Sequence, residues 1–564
     1  MLSLLLLGVF YFGIAWATWN FIKSRTYRSV LKNIPGPPAG SWISGSLKQM
    51  MNPKAWDFHQ SLADTYGGLS RTKGVFGSDE LYVYDPKAMH HILVKDQYIY
   101  EETDAFIASN KMIFGAGIFT TLGDDHRRQR KMLNPVFSIA HMREMVPIFY
   151  DVAHKVHYTF FQVRNILKYE IFQVRRVFIT KTQGGPQEID VLTWMTRLAL
   201  ELIGQSGLGY TFDELTENAV QHPYGIASKS LVPAQGQEAM LFTTLMPTLS
   251  KIGTPAFRRF IVDHLPFKVV KEVRDIIDVL YETAVEIFDS KKKALEAGDE
   301  ALAAQVGRGK DIISILMKAN MAASGEDKLT DKDVLGQIMS LSFAATDTTS
   351  SALSRTFHLL ALHKDVQDRL REEIRNARKE CGGEDIGYDM LVSLPYLDAI
   401  CRETLRLYPP VSFIMRTARK DIVLPLATPI KGLNGQQISE VPVPAGTNVF
   451  VSILASNRNP DLWGPDSYEW KPERWLSPLP EPLITAHMPG IYSHLMTFIG
   501  GGRACIGFKF SQLEMKVVLA LMVENLEFSL AKQEIIWQMT GIVTPNTDPD
   551  STTPTMPMII SQAK

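Results

Sequence analysis

The hydrophobic pattern opens with residues 2–22, from Leu2 through Phe12 and Trp16 to Ile22, a run without a charged side chain. As a helix this run reaches about 30 Å, the thickness of a bilayer core. Lys23, Arg25, Arg28 and Lys32 follow it, with no cation before it. The positive-inside rule then predicts a signal-anchor helix over 1–22 and a cytosolic body. A cleaved signal peptide would instead place cations first and show a small-residue cleavage site. Residues 23–40 are basic and then proline-rich (Ile34-Pro35-Gly36-Pro37-Pro38), which predicts a stiff hinge before a body spanning 41–564.

Within the body, strand-like alternation is clearest at Glu80–Tyr84, and residues 104–122 form an apolar stretch broken by glycines. A basic helix is predicted from Gly123 through Lys131 towards Pro135, and helical patterns resume at 190–207 and 269–295. Residues 156–182 carry Phe161-Gln162-Val163-Arg164 and again Phe172-Gln173-Val174-Arg175 without a helical period, so this segment reads as an insertion or an unremoved intron. The longest helix signal starts at Thr330, with Asp333 three residues on as a capping partner, and runs to about Leu362. At its centre, Ala344-Ala345-Thr346-Asp347-Thr348-Thr349 interrupts an apolar helix with small and polar residues. Such groups are costly as core filling unless they find partners, and threonine hydroxyls find them on the previous turn's carbonyls. A further helix over 395–407 stops before Pro409-Pro410.

Composition narrows the classes. A net charge of −1 gives no case for nucleic acid, and 45% hydrophobic residues suffice for a large core. The length of 564 residues alone favours two or more domains. Only Cys381, Cys401 and Cys505 occur, in no metal-ligand spacing, which argues for a reducing compartment and against zinc or a disulfide scaffold.

One of these cysteines stands in a special setting. Phe498-Ile499-Gly500-Gly501-Gly502-Arg503-Ala504-Cys505-Ile506-Gly507 places it in a glycine-rich turn ahead of a helix. Glycines permit close approach to a flat object, and a helix N-terminus favours a thiolate. A structural cysteine after a glycine turn is the ordinary alternative. The order and spacing of Phe498, Gly501, Arg503, Cys505 and Gly507 resemble the heme-binding loop of the cytochrome P450 family. The helix interruption resembles that family's oxygen-binding groove, with Ala345 in place of the common glycine.

The resemblance implies a mainly α (α+β) fold, a large helical lobe with a small β-rich lobe around a buried heme, in one domain. It implies Cys505 as the axial ligand of heme b (iron protoporphyrin IX). It places Arg130 and His126, where the family has tryptophan, with Arg416 and Arg503 on the propionates. Thr348 and Asp347 would hold oxygen and feed protons. Glu403, Arg406 and Arg474 would form a structural triad, and the same arrangement makes Phe114, Ile118, Phe343, Ala344, Val411, Phe413, Ile414 and Ile542 substrate-pocket candidates. The implied activity is insertion of one atom of O2 into a lipophilic small molecule such as a terpenoid or steroid, as in fungal members. Electrons would come from NADPH through a separate NADPH–cytochrome P450 reductase, with cytochrome b5 as a second donor, to a monomer in the endoplasmic-reticulum membrane. Arg127, Arg128 and Lys131 read as a solvated face or a dock for that donor. The rival readings are a heme-thiolate isomerase or dehydratase, a fatty-acid or xenobiotic hydroxylase, and a membrane heme sensor.

Overall fold

The computed structural model describes residues 30–153, 181–216, 219–237, 246–551 and 553–564, with isolated positions at 8, 11, 13–15, 18, 19, 178 and 244. Most of the apolar run 2–22 and most of the segment 156–182 lie outside the described residues. Among the described residues no helix is long and apolar enough to cross a membrane.

The helices that position the site are α1 (Asp104–Phe114), α2 (Gly123–Leu133), α3 (Ile139–Ala153), α4 (Val191–Leu202), α5 (Pro223–Gln237), α6 (Lys268–Ala297), α7 (Asp331–Leu362), α8 (Pro395–Leu407) and α9 (Phe508–Asn525). Helix α7 starts as its sequence dictates. Thr330 caps it, its hydroxyl accepting from the Asp333 N–H while the Asp333 carboxylate accepts from the Thr330 N–H. Helices α4 and α9 pack on α7, and α3 and α8 pack on α9. Phe149 of α3 meets Phe510 of α9 edge-on at 4.9 Å. Residues 104–122, predicted only as an apolar stretch, divide into α1 and a loop. Thr103 caps α1, and Gly115, with φ of 66°, ends it.

The described strands form four sheets, of five, three, two and two strands. The five-stranded sheet runs Leu69–Lys73, Asp79–Val83, Asn448–Ser452, Phe413–Ala418, Tyr100–Glu101, so the strand predicted at 80–84 is present one residue earlier. The proline-rich hinge is less free than its composition suggests. Leu31 and Ile34 are buried, Arg71 N–H donates to the Pro35 carbonyl at 2.9 Å, and a Cβ on Gly36 would sit 1.7 Å from the Arg71 carbonyl oxygen. Apolar side chains at 31 and 34 dock this part of the hinge on the sheet edge.

One ion-pair network ties α8 to the segment ahead of the cysteine loop. Glu403 and Arg406, both with fully buried side chains, make two hydrogen bonds of 2.8 Å. Arg406 also donates to the carbonyls of Asn457 and Ser467, while Trp475 and the Lys471 N–H donate to Glu403. Arg474 reaches Glu403 at 3.4 Å, but its shorter partner is Asp466 at 2.7 Å. The triad therefore exists with a fourth member that the sequence reading did not include. Arg406→Ala strands a buried carboxylate, and it is expected to cost about 3–5 kcal/mol in a urea melt.

Candidate active site

The cysteine loop is closed by a 3.0 Å hydrogen bond from the Cys505 N–H to the Phe498 carbonyl. Phe498 is buried and meets Tyr492 and Phe508 at 5.9 and 6.1 Å. Gly501 takes φ of 76°, and a Cβ there would lie 1.8 Å from the Leu93 carbonyl oxygen. The close approach that this glycine permits is thus to the protein's own backbone. Gly507 differs, since a Cβ there would meet nothing within 4 Å. Room for a flat group lies beside Gly507.

Cys505 is exposed, yet burial raises its thiol above the ordinary cysteine range. Both hold because the side chain is surrounded by protein but keeps one face on an internal space. The Gly507 N–H and the Arg130 guanidinium pull the other way and favour the thiolate.

A second open surface lies on α7. Between Gly336 and Phe357 every residue is buried except Phe343, Ala344, Ala345 and Thr348. Positions 344, 345 and 348 share one helix face, so the interruption presents a narrow stripe to the interior. The Thr348 hydroxyl donates to the Ala344 carbonyl at 2.7 Å, and Thr346 does the same to Ser342. Asp347 is buried and pairs with Lys229 of α5 at 3.3 Å. Burial raises its carboxyl, and Lys229 opposes that rise.

The polar rim is cationic. Arg130 donates to the Ala504 carbonyl and to Asn134, while Arg503 donates to the carbonyls of Thr121 and Ile118. Neither ion-pairs a carboxylate among the described residues. Arg416 is buried and pairs with Glu102 at 2.7 Å, a partner that no local pattern predicted. His126 is buried, and burial followed by Arg503, Arg130 and Arg416 pushes its imidazole down to about 3, so it is neutral at pH 7.

The pocket candidates do not all converge. Phe114 and Phe343 pack at 5.1 Å, and Ile118, whose N–H donates to the Gln337 side chain, lies in the loop after α1. Ile542 is buried at the start of the last hairpin's second strand. Val411 and Ile414 pack against the main core with Phe343. Phe413 is a correction. It stacks on His59 at 5.3 Å and packs with Phe450 in a separate small core. Strand alternation puts Ile414 and Arg416 on one face and Phe413 and Met415 on the other.

These residues fit a heme. One thiol has an open face beside an uncrowded glycine; Glu102 pairs with Arg416, Glu102 and Glu101 act on Arg503, and no carboxylate acts on Arg130 or the neutral His126. Two further carboxylates would balance and satisfy such a rim. As pH falls from 6.5 towards 3, the unfolded chain protonates this histidine before the folded one does. Heme-free protein should therefore lose stability over that window, with His126→Asn flattening the loss in a pH-series of thermal melts.

Comparison with known proteins agrees. The sequence matches the family described as Cytochrome P450 over residues 35–550. It is 50% identical to Cytochrome P450 monooxygenase 91 of Postia placenta over 98% of both chains. It is 43% identical to Ganoderic acid synthetase CYP5150L8 of Ganoderma lucidum over 96% of both. The open faces of Cys505 and α7, the cationic rim and this full-length similarity have one common reading: the chain belongs to the cytochrome P450 family and is a monooxygenase.

Proposed function

We propose that this monooxygenase is anchored in the endoplasmic-reticulum membrane by residues 1–22 and oxygenates a lipophilic small molecule of the terpenoid class. Electrons come from NADPH through a separate reductase. The observation that carries the site reading is an open-faced Cys505 together with the narrow stripe of Ala344, Ala345 and Thr348 on the otherwise buried middle of α7. The terpenoid class is supported by the relative named as a ganoderic acid synthetase. The anchor is supported by the uncharged run 2–22 and the cations after it.

Heme b, when bound, supplies the activation of O2 and its transfer to the substrate. Cys505 would be its protein ligand, with Arg130, Arg416, Arg503 and His126 holding its carboxylates. The residues of the chain do the rest. Phe114, Ile118, Phe343 and Ala344 provide apolar surface that excludes water and admits a hydrocarbon skeleton. Because the Thr348 hydroxyl spends its proton on the Ala344 carbonyl, its oxygen is left to accept a hydrogen bond from a group in the interior. Asp347 can carry a proton, because burial raises its carboxyl above the ordinary carboxylate range. Lys229, partly exposed at 18% of its side chain, connects that carboxyl towards solvent.

Reconstitution with NADPH and a microsomal reductase tests the reading against triterpenoid, steroid and fatty-acid panels. Oxygenated product that requires NADPH is expected, and Asp347→Asn or Thr348→Ala should lower product per NADPH by about 100-fold. Equal product from a substrate hydroperoxide without NADPH would overturn it in favour of an isomerase or dehydratase.

A further inference from the structure

A second buried cationic site lies two helical turns along α7 from Thr348. Arg355 is 8% exposed, and its guanidinium is sandwiched between Trp537, 3.7 Å from one ring centre, and Tyr408, 4.0 Å from the other. Its Nε has no hydrogen-bond partner, and no ion pair joins Arg355 to a carboxylate among the described residues. The charges that act on it are Tyr408 and Arg458, and burial pulls its guanidinium well below the ordinary arginine range.

The surroundings add positive charge. Arg458 lies over the Tyr408 ring at 5.3 Å and donates to the Leu407 carbonyl at the end of α8. Burial pulls it down to about 10, and the groups that oppose this are the phenols of Tyr408, Tyr468 and Tyr82 rather than a carboxylate. His358, one turn beyond Arg355, accepts at Nδ1 from the Trp537 indole at 3.0 Å and is pushed down to about 4 by burial and Arg355. It is therefore neutral and supplies no counter-charge.

Burying a cation without a partner is costly, and ring faces offset only part of that cost. Three other buried cations each pair with an acid, Lys291 with Asp311, Arg197 with Asp213, and Arg406 with Glu403, whereas Arg355 and Arg458 have no carboxylate partner among the described residues. With both faces covered by rings, Arg355 has only its edge left for hydrogen bonds, which suits a small in-plane acceptor.

We propose that Arg355, with Arg458 and the Tyr408 and Trp537 rings, forms a binding site for a single negative charge of halide or carboxylate chemistry. The site is distinct from the rim of Arg130, Arg416 and Arg503. It sits just behind the pocket wall, because Ser351, one turn before Arg355, donates to the Val543 carbonyl, and Val543 N–H donates to Pro410. The anion enters either as a free ion or as the acid group of a long substrate that reaches past this wall. The second source rests on the proposed function.

The test uses the full-length, heme-loaded protein. Crystals soaked in sodium bromide should show an anomalous peak against the Arg355 guanidinium. The melting temperature should rise with bromide or acetate relative to gluconate, whose hydrated polyol chain is too bulky for this buried edge, and Arg355→Met should abolish that rise while keeping its heme. In gluconate, Arg355→Met should melt no lower than wild type, because it removes an uncompensated buried charge. No bromide peak, with melting equal in bromide and gluconate, would overturn the proposal. So would an Arg355→Met loss of the same size in both salts, which would make Arg355 a clamp between two rings only. Dodecanoate and dodecanol separate the sources. Selective loss of the dodecanoate-induced Soret shift in Arg355→Met identifies a substrate acid, and a response to bromide and acetate alone identifies a free ion.

Discussion

The bond from the Cys505 N–H to the Phe498 carbonyl fixes where a single sulfur sits, and the surrounding structure keeps that sulfur in place. A thiol enclosed by protein resists ionisation, so the loop has to bring favourable partners to it without covering its reactive face. Gly501 lets the loop lie against the Leu93 carbonyl, Gly507 turns its N–H to the sulfur, and α9 begins one residue later. Phe498 anchors the loop in the aromatic contacts with Tyr492 and Phe508. The Glu403–Arg406 pair then holds α8 against the segment that leads into this loop.

Buried charge falls into two kinds here, and the distinction orders the molecule. Charges that lock the fold have protein partners, as with Glu403 and Arg406 or Lys291 and Asp311. Charges that face open space or lack acids, Arg130, Arg503 and Arg355, mark places where the protein is complementary to something it does not itself supply. Asp347 stands between the two kinds, since its partner Lys229 comes from a different helix and reaches solvent. That pair links the proton-bearing residue to α5.

What could be read from the sequence was local or carried by fixed spacing. The capping of α7 by Thr330 and Asp333, the cysteine turn before α9 and the Glu403–Arg406 pair three residues apart all follow from short-range chemistry, and the structure has each of them. The threonine back-bonds at 346 and 348 were likewise expected from the polar interruption of an apolar helix. Long-range partners were not legible: Glu102 lies 314 residues from Arg416, and Lys229 lies 118 from Asp347. Phe413 was within reach, because placing Arg416 on the site face fixes Phe413 on the other by the two-residue period of a strand. Gly501 carried the right requirement, a missing Cβ, but its cause is the Leu93 carbonyl rather than a ligand.

The central claim is that Cys505 presents a thiolate to heme iron, and a carbon-monoxide difference spectrum of the reduced full-length protein tests it most directly. The account predicts a thiolate-type Soret band in the wild type and its loss in Cys505→Ala. Absence of that band in heme-loaded wild type, or its persistence in Cys505→Ala, would contradict the account.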